Sequence, residues 1–107
     1  MPELNQNPTL KEFQNYVDEL EKERGFSHQT IIDKCLLLGE EVGELFKAVR
    51  KSEGLAVDSN SNFTEIGDEL TDIFIYLCAI ANRKGIDLET AFLKKEVKNK
   101  QRVWKSV

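Results

Sequence analysis

The chain has 107 residues, 40% of them hydrophobic and 32% charged, with a formal net charge of −4. A single domain of this length buries a real core but gains from oligomerisation, and the composition excludes a disordered chain. The acidic balance argues against a nucleic-acid partner, and no apolar run approaches the roughly 20 residues that span a bilayer. Met1-Pro2-Glu3-Leu4-Asn5 lacks the basic and apolar regions of a signal peptide, so a cytoplasmic protein with no membrane partner is expected. Cys35 and Cys78 have neither CxxC nor Cys/His spacing. They read as small buried residues, not as zinc ligands or a disulfide.

Residues 1–8 are polar and contain both prolines, a flexible lead-in to a single domain over residues 9–107. Thr9-Leu10-Lys11-Glu12 is a capping-box pattern, with Thr9 as N-cap and Glu12 reaching back. The first helix is predicted from there to about Arg24, with Leu10, Phe13, Val17 and Leu20 as its apolar stripe and Gly25 as its stop. A second helix is predicted from Ser27 or His28 to about Lys51. Its apolar residues run from Ile31 and Ile32 through Leu45, Phe46 and Val49 and cover more than one stripe. Such a helix is central to a bundle or lies at an oligomer interface. Gly43 within it lowers helix propensity by about 1 kcal/mol relative to Ala, a choice that the close approach of another helix would explain.

Residues 52–62 are small and polar, a loop of the kind that lines binding sites. Asn62 and Glu65 repeat the capping pattern and open a third helix to about Lys84, striped by Ile66, Leu70, Ile73, Phe74, Leu77, Ile80 and Ala81. Gly85 ends it, and Asp87 caps a fourth helix with Leu88, Ala91, Phe92 and Val97 on one side and lysines on the other. No strand alternation or repeat is visible. The expected class is all-α, a four-helix bundle.

Two acidic tetrads stand out, Glu41-Val42-Gly43-Glu44 and Glu69-Leu70-Thr71-Asp72. Residues three apart share a helix face, so two such pairs on facing helices make a cluster of four carboxylates. Surface acids usually have a cation three or four residues away, but among these four only Glu44 does, in Lys47. Leu45 and Ile73 lie one helical step away, so the acids border the core, where a carboxylate without a partner is very costly. A divalent cation offsets that cost most directly, and all-oxygen ligands favour Mg²⁺ or Mn²⁺ over zinc or copper. A di-iron carboxylate site would need Glu-x-x-His pairs, and the single histidine, His28, is far from both tetrads. From Thr64 to Asn82 there are four acids and no Lys or Arg; from Arg83 to Val107 there are eight cations against three acids. An acidic centre followed by a basic segment suits a metal-bound polyanion.

Together these residues resemble the MazG-like family of all-α nucleoside triphosphate pyrophosphohydrolases, whose signature pairs Glu-x-x-Glu on one helix with Glu-x-x-Asp on the next. The words around the tetrads, Leu38 to Leu45 and Gly67 to Ile73, are similar too, as is Gly85-Ile86-Asp87-Leu88-Glu89. The family's Lys-x-x-x-Asn-x-x-Arg on the last helix is matched by Lys95, Asn99 and Arg102. The resemblance covers roughly residues 9 to 104 and implies a fold, an activity and a site. Its reaction is Mg²⁺-dependent hydrolysis of a (deoxy)nucleoside triphosphate to the monophosphate and pyrophosphate, a nucleotide-pool house-cleaning role, with Mn²⁺ as a substitute ion. Glu41, Glu44, Glu69 and Asp72 would hold the metal, and Glu40 or Glu41 would accept the proton of the attacking water. Lys95 and Arg102 would contact phosphate oxygens and Asn99 would add a neutral hydrogen bond, against the alternative of a solvated basic face. Tyr76, one turn beyond Asp72, would stack on the base or serve as a core or interface aromatic. The family implies a homodimer or homotetramer.

Two departures leave base preference open: Val103 stands between Arg102 and Trp104, and only Phe26-Ser27-His28 precedes the second helix. Two further readings remain. One is another enzyme of the superfamily, acting on dUTP or phosphoribosyl-ATP. The other is a non-catalytic nucleotide-binding or helical interaction module, which intact acids at all four metal positions disfavour.

Overall fold

In a computed structural model of the chain, residues 2–55 and 65–103 are described, and they form four helices and no strand. These are α1 (Leu10–Arg24), α2 (Ile31–Ser52), α3 (Ile66–Arg83) and α4 (Leu88–Lys100). The central element is α3, which packs against both α2 and α1, while α4 packs on α1. The core lies on α3, where Cys78 and Ala79 meet Val17 of α1. Small side chains on that face let the flanking helices approach. Phe13 and Phe74 close one end of the α1–α3 seam edge to face, with ring centres 5.3 Å apart at 84°.

Helix ends follow local chemistry. The α1 capping box is complete: Glu12 N–H donates to Thr9 Oγ1 at 3.1 Å, and Glu12 Oε1 accepts from Thr9 N–H at 3.3 Å. Gly25 takes a left-handed conformation (φ 76°), from which Phe26 N–H reaches back to Glu21 O at 2.8 Å. Gly85 repeats the turn after α3 at φ 62°, where Ile86 N–H reaches Ala81 O at 2.9 Å. Asp87 caps α4 through Thr90 N–H at 3.0 Å.

The second helix begins later than Ser27 or His28. Thr30 is its N-cap, with Asp33 N–H donating to Thr30 Oγ1 at 3.1 Å and Thr30 N–H donating to Asp33 Oδ2 at 2.9 Å. Asp stands in this box where the usual pattern has Glu or Gln. The later start leaves Gly25 to Gln29 as a linker, which carries Phe26 and Gln29 to the site described below. The third helix starts at Ile66 with Glu65 as an N-cap that makes no side-chain capping bond. Asn62, the loop from residue 56 on, and Trp104 lie outside the described residues.

Three other sequence expectations are corrected. Cys78 is buried, but Cys35 is exposed on the outer face of α2. Among the described residues no neighbouring helix lies within 4 Å of a Cβ built on Gly43, so the expected close approach is not seen there. The apolar side of α4 is not covered by the described residues: Leu88 packs on the core, yet Phe92 and Val97 remain exposed. Ile32, Leu36 and Phe46 of α2 are exposed as well.

One polar residue that the stripe pattern misses ties three segments together. Gln14 is buried; its Nε2 donates to Asn82 Oδ1 at 3.1 Å and Ile86 O at 2.8 Å, and its Oε1 accepts from Leu88 N–H at 2.8 Å. Asn82 Nδ2 in turn donates to Gln14 O at 2.8 Å. Replacing Gln14 by Ala leaves buried donors and acceptors without partners, so Gln14→Ala should lower unfolding free energy by about 1–3 kcal/mol. Urea denaturation followed by circular dichroism measures this, and an unchanged midpoint would refute it.

Candidate metal centre

Three helices each contribute a stripe to one cavity of about 360 Å³. From α1 come Leu20, Glu21 and Arg24, and from α2 come Lys34, Leu37 and Glu41. Asp72, Ile75, Tyr76 and Ala79 come from α3. Spacings of three, four and seven residues put each set on one helix face, which is why positions distant in sequence converge.

At the acidic end, Glu41, Glu69 and Asp72 each present a carboxylate oxygen, and the three oxygens lie within 4.8 Å of one another. Glu69 is buried, Glu41 half-buried and Asp72 exposed. The crowding has a direct electrostatic signature. A hydrogen bond shared with Glu69, then burial, then the charges of Asp72, Glu69 and Glu44 push the Glu41 carboxyl up to about 7. Two carboxyl groups share a hydrogen bond only when one is protonated. Burial and the charges of Glu69 and Asp68 raise Asp72 as well. Tyr76 borders the cluster; burial and the charges of Glu41, Asp72, Glu40 and Glu21 raise its phenol.

The other sequence-predicted residues are placed differently. Glu44 pairs with Lys47 at 3.6 Å and stands outside the three-oxygen group. Glu40 is exposed beside the cluster. Lys95 is exposed on α4, Asn99 donates to Glu96 Oε1 at 3.3 Å, and neither they nor Arg102 line the cavity. Tyr76 does line it.

Sequence patterns miss the opposite end of the cavity. Lys34 is 3% exposed and pairs with Glu21 at 3.3 Å, while Arg83 clamps the same carboxylate at 2.9 and 2.6 Å. Burial pushes Glu21 up, but the Arg83 hydrogen bond and the Lys34 charge outweigh it and hold the carboxyl below its ordinary value. The Lys34 ammonium also lies over the Phe26 and Tyr76 rings, 5.3 and 5.4 Å from their centres. Beside Asp33 in the sequence, Lys34 looks like an ordinary surface charge; only its place seven residues before Glu41, on the same helix face, relates it to the acids.

Residues 26–105 match the model of the MazG nucleotide pyrophosphohydrolase domain. The chain belongs to the MazG nucleotide pyrophosphohydrolase family. It is accordingly a hydrolase of phosphoric anhydrides. Two structures of iMazG from Vibrio DAT 722 are similar to this MazG chain. The first shows 30% identity over 91% of this chain and 99% of its own, with a TM-score of 0.66. The second shows 32% identity over 86% and 98%, with a TM-score of 0.65. A Bacillus-conserved MazG protein, described as a nucleotide pyrophosphohydrolase, is 27% identical over 95% of this chain and 98% of its own, with a TM-score of 0.69. No curated protein matches the chain. No helix among the described residues is long and apolar enough to cross a membrane.

The acid cluster sets a pH dependence for the metal-free MazG domain. Glu41 holds its proton to about pH 7 when folded but only to its ordinary value of 4.5 when unfolded. Between those values the folded state binds more protons, so stability falls as pH rises through the window. Glu41→Gln should flatten that slope and stabilise the metal-free protein above pH 7, on the order of 1 kcal/mol after solvent screening. Thermal melts at several pH values in EDTA measure both effects, and parallel curves for the two proteins would contradict them.

Proposed function

We propose that this MazG protein hydrolyses ribo- or deoxynucleoside triphosphates to the monophosphate and pyrophosphate with Mg²⁺, Mn²⁺ serving in its place, as nucleotide-pool house-cleaning in the cytoplasm. The observation that carries the reading is the convergence of Glu41, Glu69 and Asp72, three oxygen donors within 4.8 Å of one another. Donors of oxygen alone suit Mg²⁺, and acids this crowded favour a divalent cation over a shared proton. Glu41, Glu69 and Asp72 would hold the ion, with Glu44 as a fourth ligand after it releases Lys47. When bound, the ion neutralises charge at the phosphates and acidifies water.

The remaining roles belong to the chain's own side chains. Glu40 or Glu41 takes the proton of the water that attacks the α-phosphorus, and the α–β anhydride bond breaks with pyrophosphate leaving. The cavity beyond the acids, bordered by Tyr76, receives the nucleoside. At about 360 Å³ it falls at the small end of the usual 300–1,000 Å³ for ligand sites, enough for a nucleoside with the phosphates outside. Lys95, Asn99 and Arg102 contact phosphate oxygens in a homodimer or homotetramer. Support for assembly comes from Ile32, Leu36 and Phe46 on α2 and from Phe92 and Leu93 on α4, all exposed in the single chain. The radius of gyration, 16.8 Å, also exceeds the roughly 13 Å of a compact chain of this length.

Pyrophosphate release from a panel of ribo- and deoxynucleoside triphosphates tests the reading. Turnover should require Mg²⁺ and vanish in EDTA, and Glu41→Gln and Asp72→Asn should each lower kcat at least about a hundredfold. Magnesium-dependent nucleotide binding without turnover would identify a binding module instead.

A further inference from the structure

We propose that Lys34 is a positioning residue: it holds the rings of Phe26 and Tyr76 as two walls of the nucleoside cavity, and so governs substrate affinity and not the chemical step. This deepens the reading of the cavity as a nucleoside triphosphate site and rests on it.

Lys34 lines the same cavity as Glu41 and Asp72, yet only 3% of it is exposed. Burying an ammonium is costly, and pairing offsets the cost. Lys34 pairs with Glu21 at 3.3 Å. Glu21 does not depend on that pair, because Arg83 holds both of its oxygens at 2.9 and 2.6 Å. A buried ion pair is also weak ground for stability, since an apolar side chain of similar volume commonly serves the fold as well. What the ammonium supplies that an apolar side chain cannot is its contact with two aromatic rings.

Those rings lie 5.3 Å (Phe26) and 5.4 Å (Tyr76) from the ammonium, both within reach of a cation–π interaction. They come from different elements. Phe26 belongs to the linker between α1 and α2, Tyr76 stands on α3 one turn beyond Asp72, and Lys34 itself is on α2. Both rings line the cavity. The backbone of Phe26 is tied down: its N–H donates to Glu21 O at 2.8 Å and its carbonyl accepts from Arg83 at 3.3 Å. These bonds leave the ring free to turn, and the residue is 40% exposed. An ammonium fixed by Glu21 holds that ring at the cavity wall.

Walls ordered before the substrate arrives cost nothing to order on binding, which raises affinity without touching the reacting atoms. The substrate meets aromatic faces, and stacking on such faces tolerates every base. The effect of Lys34 is therefore the same for purines and pyrimidines.

The experiment measures kcat and KM with Mg²⁺ for ATP, GTP, CTP, UTP and their deoxy forms in wild type, Lys34→Met, Phe26→Leu and the double variant. Lys34→Met keeps the apolar stem and leaves Glu21 paired with Arg83. It should raise KM about tenfold for every triphosphate that is turned over and leave kcat within about twofold. Phe26→Leu should raise KM as well. In its background Lys34→Met should add less than about threefold, because one of the rings it acts through is gone. A fall in kcat at unchanged KM overturns the inference, since that is what a smaller folded fraction produces. Effects of the two substitutions that simply multiply overturn it too, by making Lys34 independent of the ring. If Lys34→Met does not fold, Phe26→Leu decides: a raised KM supports the inference and an unchanged KM overturns it. If wild type releases pyrophosphate from none of these triphosphates, the nucleotide reading itself fails and takes this one with it.

Discussion

Arg83 is the tie on which the arrangement of helices and cavity depends. Its guanidinium donates to both Glu21 oxygens, to Ala79 O at 3.0 Å, to Gln29 O and to Phe26 O at 3.3 Å. A planar fork of five N–H donors can hold that many acceptors at once, where a lysine cannot. The contacts join the end of α1, the linker into α2 and the end of α3, and Lys34 brings in α2 through the same Glu21. Breaking a buried pair of this kind leaves an uncompensated charge, which typically costs 3–5 kcal/mol, a large share of the stability of a small domain.

That clamp also explains how the cavity can hold opposite charges at its two ends. At the inner end an acid lies between two cations and is held ionised. At the outer end three acids lie together, and one of them keeps its proton to about pH 7. The first arrangement stabilises the fold and the second works against it. A divalent cation placed among those three carboxylates would turn the same repulsion into attraction.

The outer surfaces carry a second unbalanced feature. Helix α2 buries Ala48 and Lys34 but exposes Ile32, Leu36 and Phe46, the last at 62%, and α4 has no buried residue at all. The exposed residues of α2 account for the broad apolar girth of that helix in the sequence.

Much of this was legible in the residues themselves. Capping at Thr9 and Asp87, the stop at Gly25 and the stripe of α1 are local, and short-range sterics and hydrogen bonds decide them; the α3 stripe holds only in part, since Leu70 and Leu77 are exposed. The two acidic tetrads were legible for the same reason: three-residue spacing places their members on one face whatever the tertiary fold. What the sequence could not decide was which acids meet. Glu41, Glu69 and Asp72 converge while Glu44 turns to Lys47, a choice made by the packing of α2 on α3. Nor could it show that Lys34, Glu21 and Arg83 form one network, since they come from three helices and look like ordinary surface charges in any single stretch. Burial and long-range pairing depend on how helices cross, and only the tertiary structure settles that.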